Sequence, residues 1–157
     1  MEWEGEALKA REKAARVVIT RLGIVMGEKG GALSQMIPLF KTYIGRPIGS
    51  GKQGFSWIHI KDLAEAFVFL TRHPEISGPV NVCSPNPVRN RDLAKSLGKA
   101  LHRPSFFPAP GFIAKLVLRE FGSVILEGQK VIPRKLLKNG FVFQYTDIEK
   151  ALQSIIE

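Results

Sequence analysis

Four polar side chains have the chemistry and the setting to contact a ligand: Arg21, Ser56, His59 and Arg89. Arg21 follows a β-branched run and precedes Gly23, so its guanidinium could reach a carboxylate or phosphate at a strand end, or form a structural ion pair instead. Arg89 lies in a loop before a predicted helix, and the N-terminus of a helix attracts anions. These two arginines are candidate contacts for an anionic ligand.

His59 and Ser56 each have a structural alternative to a role in chemistry. His59 stands between Ile58 and Ile60, and a histidine in an apolar run is more often a core residue bonded to the backbone than a catalyst. Ser56 could donate a hydrogen bond to a ligand, but it has no base within local reach, which argues against a nucleophilic serine. The three histidines and the single cysteine, Cys83, share no metal-ligand spacing.

The stretch that positions these residues, 55–70, changes its period in the middle. Residues 55–60 are typical of a short strand, and apolar residues from Leu63 to Leu70 recur with helical spacing. A strand that runs into a helix N-terminus would place His59 and Asp62 at the edge of a sheet. Open α/β folds bind their ligands at that edge.

The other elements are predicted from periodicity and turn residues. Helices are predicted at residues 2–15, 33–40, 91–101, 112–121, 134–138 and 147–156, and strands at 16–20, 80–83 and 141–145. Pro38 should kink its helix or restart it. Asn90 is the predicted N-cap of the helix at 91–101, and Thr146 with Glu149 forms a capping-box pattern for the last helix. Residues 124–132 fit either a helix or a strand.

Residues 49–54, GSGKQG, match the G-x-G-x-x-G spacing of dinucleotide-binding loops letter for letter. That fingerprint needs a strand before it and a helix after it, whereas this stretch precedes the extended run at 55–60. Lys52 is followed by Gln53, and no glycine stands at the upstream position that a phosphate-binding P-loop requires. The stretch is therefore predicted to be a loop or a hairpin turn.

Composition favours one compact domain, since the 157 residues are 45% hydrophobic and 24% charged. The net charge of +9 is spread along the chain, which favours solvated faces over nucleic-acid binding. No apolar run is long enough to cross a bilayer. The first sixteen residues lack an apolar signal core, and one cysteine allows no internal disulfide, so we expect a reducing, cytoplasmic location without a membrane partner.

Several ordered segments resemble one enzyme superfamily, the extended short-chain dehydrogenase/reductase proteins with their NAD(P)-dependent sugar epimerases and dehydratases. WIHIKDLAEAF at 57–67 is similar to the family's F-I-H-V-x-D segment, and ITRLGIVMG at 19–27 to the strand and loop after its catalytic helix. Residues 77–104 resemble its returning strand, loop and next helix. Together with 30–40 and the tail, these segments resemble the "epimerase family protein" group, whose carboxyl-terminal segment has no assigned chemistry.

The resemblance implies an α/β fold: the carboxyl-terminal part of a Rossmann-like doubly wound fold, with one or two sheet strands, plus a small helix-rich substrate lobe. Residues 1–29 would complete the dinucleotide-binding core. Residues 30–157 would form the lobe, with strand 80–83 returning to the core sheet and 105–157 forming a carboxyl-terminal helical segment. The implied substrate contacts are Arg21, Gly23, Ser56, His59 and Arg89, and the implied cofactor contacts are Leu22 and Gly23.

The family's proton-transfer pair is missing from this sequence. That pair is a tyrosine four residues before a lysine, which lowers the pKa of the phenol; here Tyr43 is followed by Pro47 and Tyr145 by Glu149. We expect NAD or NADP to serve the full-length protein, with none bound to this chain alone. The sequence thus predicts a substrate-binding half that is inactive by itself.

Two positions indicate the kind of substrate. Where nucleotide-sugar enzymes of the family carry an asparagine and an arginine for the diphosphate, this chain carries Ile24 and Phe55. Losing charged donors weakens anion binding, so we expect a small-molecule substrate other than a typical nucleotide-sugar. The alternative is a protein-interaction or self-associating module without catalysis, which would form a homo-oligomer through the sheet edge left open.

Overall fold

The protein is described by a computed structural model over residues 2–10, 16–28, 30–42, 45, 47, 50–103 and 128–156. The helices in this part of the chain are α1 (Glu2–Lys9), α2 (Gly31–Lys41), α3 (Ile60–Arg72), α4 (Asn90–Ala100), α5 (Arg134–Lys138) and α6 (Ile148–Ile156). The strands are β1 (Val18–Leu22), β2 (Ile24–Gly27), β3 (Gly54–Phe55), β4 (Trp57–His59), β5 (Gly78–Val82) and β6 (Val88–Arg89). The architecture is therefore mixed α/β, as the sequence predicted.

The strands form three pairs, two of them parallel. β1 pairs with β5 in parallel, β2 pairs with β4 in parallel, and β3 pairs with β6 in antiparallel orientation. β1 and β2 follow one another with only Gly23 between them. The N–H of Gly23 donates to the Val82 carbonyl at 3.0 Å, and the N–H of Ile24 donates to the Ser56 carbonyl at 2.8 Å. The chain thus changes its strand partner at Gly23.

Close packing explains why glycine occupies the partner switch. A Cβ at position 23 would lie 2.9 Å from the Cβ of Cys83 and 3.2 Å from the Ser56 carbonyl oxygen. Real Cβ contacts are longer than the first of these distances, so a larger residue would push β1 away from β5. Gly23 therefore lets the end of β5 and the start of β4 meet β1 at one point.

The core consists of two hydrophobic clusters that share the parallel strands. The first contains Met26 and Trp57 and is built mainly from α2, α4 and α6. The second contains Ile58 and Val82 and is built from β5, α3, α5 and the segment that carries Phe141 and Phe143. Neighbouring strand residues such as Trp57 and Ile58 enter different clusters because side chains alternate along a strand. Both sides of the β2–β4 pair are therefore packed against other side chains.

Most elements predicted from periodicity are present. The strand-to-helix change at 55–70 is confirmed by β3, β4 and α3, and the strand at 80–83 by β5, which pairs with β1. The helix at 2–15 is confirmed as far as Lys9, and α2 continues through Pro38 rather than restarting there. The predicted helix at 112–121 lies outside the described residues. The assignment of 1–29 and 30–157 to a core and a lobe stays a prediction.

The predicted edge strand at 141–145 is wrong. Phe141 and Phe143 are buried and Val142 is exposed, so the alternation that suggested a strand is real. No strand, however, pairs with this segment among the described residues. Its backbone N–H groups at Gln144 and Tyr145 donate instead to the carboxylate of Asp62. A buried side chain therefore replaces the sheet partner.

Both predicted helix caps are displaced by one residue. Asn90 is the first residue of α4, and the N-cap is Arg89, whose N–H donates to the Asp92 carboxylate at 3.3 Å. The last helix begins at Ile148, and the Asp147 carboxylate accepts from the N–H of Lys150 at 3.0 Å. Asp147 rather than Thr146 therefore caps it. Among the described residues, no helix combines the length and apolarity needed to span a membrane.

Candidate functional site

A cleft of about 470 Å³ lies at the carboxyl ends of β1 and β5, beside the partner switch at Gly23. It is lined by Arg21, Leu22, Gly23, Ile24, Gly54, Phe55, Ser56, Asn81, Cys83, Gln129 and Val131. Parallel α/β sheets bind ligands outside the carboxyl ends of their strands. The cleft lies outside the carboxyl ends of this parallel pair, which makes it the candidate functional site.

The cleft brings together four of the six residues predicted to bind substrate or cofactor. Arg21, Leu22 and Gly23 come from the end of β1 and the switch, and Ser56 comes from the segment between β3 and β4. The other two predicted residues, His59 and Arg89, do not line it and are described below.

Arg21 is held by an ion pair. Its Nε and Nη2 atoms donate to the two carboxylate oxygens of Glu4 in α1, at 2.7 and 2.6 Å. The hydrogen bond from Arg21 holds the pKa of the Glu4 carboxyl below its usual value, and the same bond raises the pKa of Arg21. The structural alternative for Arg21 is thus present in the structure, and a contact between Arg21 and a ligand stays a prediction.

Ser56 uses its hydroxyl group twice, both times on the same segment. The Ser56 Oγ donates to the carbonyl of Gln129 at 2.7 Å and accepts from the N–H of Val131 at 2.9 Å. Cys83 adds a weaker contact, with its Sγ 3.4 Å from the carbonyl oxygen of Val131. Burial raises the pKa of the Cys83 thiol to about 11, so this thiol is not an activated nucleophile.

His59 is a buried residue at the start of α3. Its Nδ1 accepts from the N–H of Lys61 at 3.1 Å, and its Nε2 lies 3.3 Å from the Oγ of Ser154. Its ring stacks on Tyr145 with 3.8 Å between centroids. Burial lowers the pKa of His59, with a further lowering from Lys61 and an opposing rise from Asp62. These contacts fit the core alternative, and a substrate contact for His59 stays a prediction.

Arg89 lies at the N-terminus of α4, but the nearby backbone donors are occupied. The N–H groups of Asn90 and Arg91 donate to the carbonyls of Gln53 and Gly51, each at 3.0 Å. These bonds attach the glycine-rich loop to the helix, so an anion would have to displace them. The predicted anion contact of the exposed Arg89 side chain stays a prediction.

The glycine-rich stretch does not have the architecture of a dinucleotide loop. Its described part leads into β3, not into a helix, and Gly51 adopts a positive φ of 67° in the turn. This stretch therefore lacks the strand, loop and helix order that cradles a pyrophosphate. The described residues also contain no group of His, Cys, Asp or Glu side chains placed to hold a metal ion.

Sequence reasoning missed the polar residues Asn81 and Gln129 in the cleft wall. Asn81 carried a signal: it is a polar residue in a buried strand, and it stands in register with Arg21. Gln129 carried no such signal, because it lies in the cleft through a contact with Ser56, which is more than seventy residues away in sequence. Ile24 and Phe55, the apolar replacements noted above, both line the cleft.

Comparison with known proteins places the chain in one family. Residues 1–83 match the model of the NAD dependent epimerase/dehydratase family, and residues 109–155 match a domain of unknown function, DUF1731. The chloroplastic epimerase family protein SDR39U1 homolog of Arabidopsis thaliana is 46% identical over 99% of this chain and 45% of its own length. The chain spans about half the length of the curated relatives it matches, 45% and 52% in two of them.

Two solved structures share the fold. The human epimerase family protein SDR39U1 (isoform 2), solved with NADPH, is 36% identical with a TM-score of 0.81 over 91% of this chain and 49% of that one. A nucleoside-diphosphate sugar epimerase from Corynebacterium glutamicum is 29% identical with a TM-score of 0.77 over 98% of this chain and 29% of that one. The predicted fold class and family resemblance are confirmed by these matches.

Proposed function

The chain belongs to the NAD dependent epimerase/dehydratase family, and we propose that it forms the carboxyl-terminal, substrate-binding half of an NAD(P)-dependent epimerase- or dehydratase-like oxidoreductase. The observation that carries the proposal is the cleft at the carboxyl ends of β1 and β5. Folds of this class bind small molecules outside the carboxyl ends of parallel strands, which is where this cleft lies. The substrate is accordingly a small molecule rather than a nucleic acid.

The cofactor is NAD or NADP. In this proposal it is bound mainly by residues of the full-length protein that lie outside this sequence. The glycine-rich stretch at 49–54 does not fit a pyrophosphate cradle, and neither tyrosine stands four residues before a lysine. Leu22 and Gly23, at the end of β1, are the candidate contacts from this half. The chain alone therefore has no proton-transfer pair and is inactive by itself.

The substrate is not a typical nucleotide-sugar. Two apolar side chains, Ile24 and Phe55, line the cleft, and the charge of the nearby Arg21 is balanced by Glu4. A diphosphate needs several charge-assisted hydrogen bonds, each worth roughly 1.5–3 kcal/mol. A smaller or more apolar ligand, with a polar group able to reach Asn81, fits this lining better.

Calorimetric titration of NADPH tests which half of the protein binds the cofactor. We expect no measurable binding to the chain alone, and binding once a separately purified amino-terminal half of a full-length relative is added. UDP-glucose titrated into the combined halves should give no heat of binding. Tight binding of NADPH to the chain alone would overturn the proposal, and tight binding of UDP-glucose to the combined halves would overturn the substrate inference.

A second candidate function is association through a sheet edge. β1 has a single strand partner among the described residues, β5, and Leu22 at its end is half exposed. An unpaired parallel edge can accept a strand from another protein or from a second copy. Size-exclusion chromatography with light scattering separates the two candidates, because a monomer at high concentration contradicts self-association.

A further inference from the structure

We propose that residues 128–131 form a closing wall of the cleft and that Ser56 is the positioning residue that fastens this wall. The wall belongs to the region of unknown function, 109–155. The proposal therefore gives that region a role: it forms part of the pocket lining. What enters the pocket rests on the proposed function above, whereas the attachment of the wall does not.

The first observation is that Ser56 hydrogen-bonds two backbone groups of the wall. Its Oγ accepts from the N–H of Val131 at 2.9 Å and donates to the carbonyl of Gln129 at 2.7 Å. One hydroxyl group thus satisfies a donor and an acceptor two residues apart. The only donor of the hydroxyl group is thus used by the wall, and one acceptor position is left.

The second observation is that two glycines let the wall cross the segment before β4 in direct contact. A Cβ at Gly54 would lie 2.6 Å from the Cγ of Lys130 and 3.0 Å from the carbonyl carbon of Gln129. A Cβ at Gly128 would lie 3.0 Å from the backbone nitrogen of Gly54, and Gly128 has a positive φ of 44°. Only glycine fits at both positions, so the close contact between the wall and the segment before β4 depends on these two glycines.

The third observation is that the wall covers Cys83. This thiol lines the cleft, is 1% exposed, and has its Sγ 3.4 Å from the Val131 carbonyl oxygen. If the wall moves, the thiol gains access to solvent. Cys83 is the only cysteine in the sequence, so its rate of alkylation reports on the wall without interference from other thiols.

The consequence for the pocket is that Gln129 is a specificity-determining residue. Gln129 and Val131 line the cleft, and the carbonyl of Gln129 is one of the two groups that Ser56 holds. A wall fixed at its backbone keeps Gln129 at a constant place in the cleft lining. A mobile wall would widen the cleft and reduce its selectivity among ligands.

The test measures the wall in the whole chain, with no ligand required. Hydrogen exchange at the Val131 amide and alkylation of Cys83 by iodoacetamide are followed in wild type, Ser56→Ala and Ser56→Thr. We expect Ser56→Ala to speed both by about tenfold or more, because the variant loses both hydrogen bonds of the hydroxyl group. Ser56→Thr keeps the hydroxyl and should restore both rates to within about twofold of wild type.

Ser34→Ala is the matched control, because Ser34 bonds within α2 and does not line the cleft. It should leave both rates unchanged. If Ser56→Ala does not fold, Gly54→Ala serves as a second variant, since its Cβ would press the wall outward and raise both rates without removing a hydrogen-bonding group.

Two outcomes overturn the proposal. One is an unchanged rate at Val131 and Cys83 in Ser56→Ala. The other is an equal rise at the amides of β5, which would show global destabilisation rather than a moving wall. Neither outcome bears on NADPH or substrate binding, so failure here is distinguishable from failure of the proposed function.

Discussion

Asp62, in the first turn of α3, accepts a hydrogen bond at 2.9 Å from the backbone N–H of Tyr145. Its other carboxylate oxygen accepts from the N–H of Gln144 at 2.8 Å. Asp62 is buried at 2% exposure, and a carboxylate at a helix N-terminus is favoured by the helix dipole. One carboxylate therefore joins the helix after β4 to the segment that precedes α6.

Asp62→Asn tests this link. The amide group would keep one acceptor but turn an N–H₂ toward a backbone N–H, leaving a buried donor unpaired. We expect the free energy of unfolding to fall by about 2–3 kcal/mol, the cost of a lost charge-assisted bond and an unsatisfied group. Urea denaturation measures it. Glu65→Gln, at an exposed carboxylate of the same helix, is the control and should change stability by less than about 0.5 kcal/mol.

The same link shows where the sequence is informative and where it is not. Local signals located α5, since Asn139-Gly140 ends it, and located the change from β4 to α3. Alternation at Phe141 and Phe143 correctly indicated which side chains are buried but not what the backbone bonds to. That depends on Asp62, 83 residues from Tyr145 in sequence.

The residues of the cleft were likewise predictable only in part. Arg21 and Gly23 could be placed in it because strand ends can be located from local periodicity. The partners of Ser56 could not, because Gln129 and Val131 are 73 and 75 residues away and follow no periodic pattern. Contacts of this kind are fixed by tertiary packing, and a hydroxyl group gives no local sign of whether a ligand or the backbone will use it.

His59 should make stability depend on pH. Its pKa lies below the ordinary 6.5 because of burial, so the unfolded chain takes up the proton first as pH falls. Its contribution to stability is fully present above the unfolded pKa of about 6.5 and is lost as pH falls from there through the lower pKa of the folded state. Protonation would also place an N–H at Nδ1, facing the N–H of Lys61.

His59→Asn isolates this effect. Asparagine is a good N-cap and can accept from Lys61, but it does not titrate in this range. Between about pH 7.5 and pH 5.5, wild type should lose more free energy of unfolding than the variant in urea denaturation at matched pH values. Parallel pH profiles for the two proteins would contradict the assignment of a neutral, buried imidazole.

Gly23→Ala should loosen the partner switch. The added Cβ would meet the Cβ of Cys83 at 2.9 Å, so β1 and β5 would have to separate at the cleft. Overpacking of this kind costs about 1–3 kcal/mol of unfolding free energy. Gly5→Ala in α1 is the control, because no atom lies within 4 Å of its Cβ and alanine favours a helix. A loss no larger at Gly23 than at Gly5 would contradict the packing argument.

Glu4→Gln should decide between the two alternatives for Arg21. The ion pair with Glu4 occupies two guanidinium N–H groups beside the cleft, and neutralising the carboxylate leaves the positive charge of Arg21 unbalanced. We expect inorganic pyrophosphate to bind several-fold more tightly to Glu4→Gln than to wild type at low ionic strength, as measured by phosphorus NMR titration. Adding Arg21→Gln to Glu4→Gln should abolish the gain. Equal affinities in all three proteins would mean that Arg21 serves only to anchor α1, and that its charge does not reach the ligand even when released.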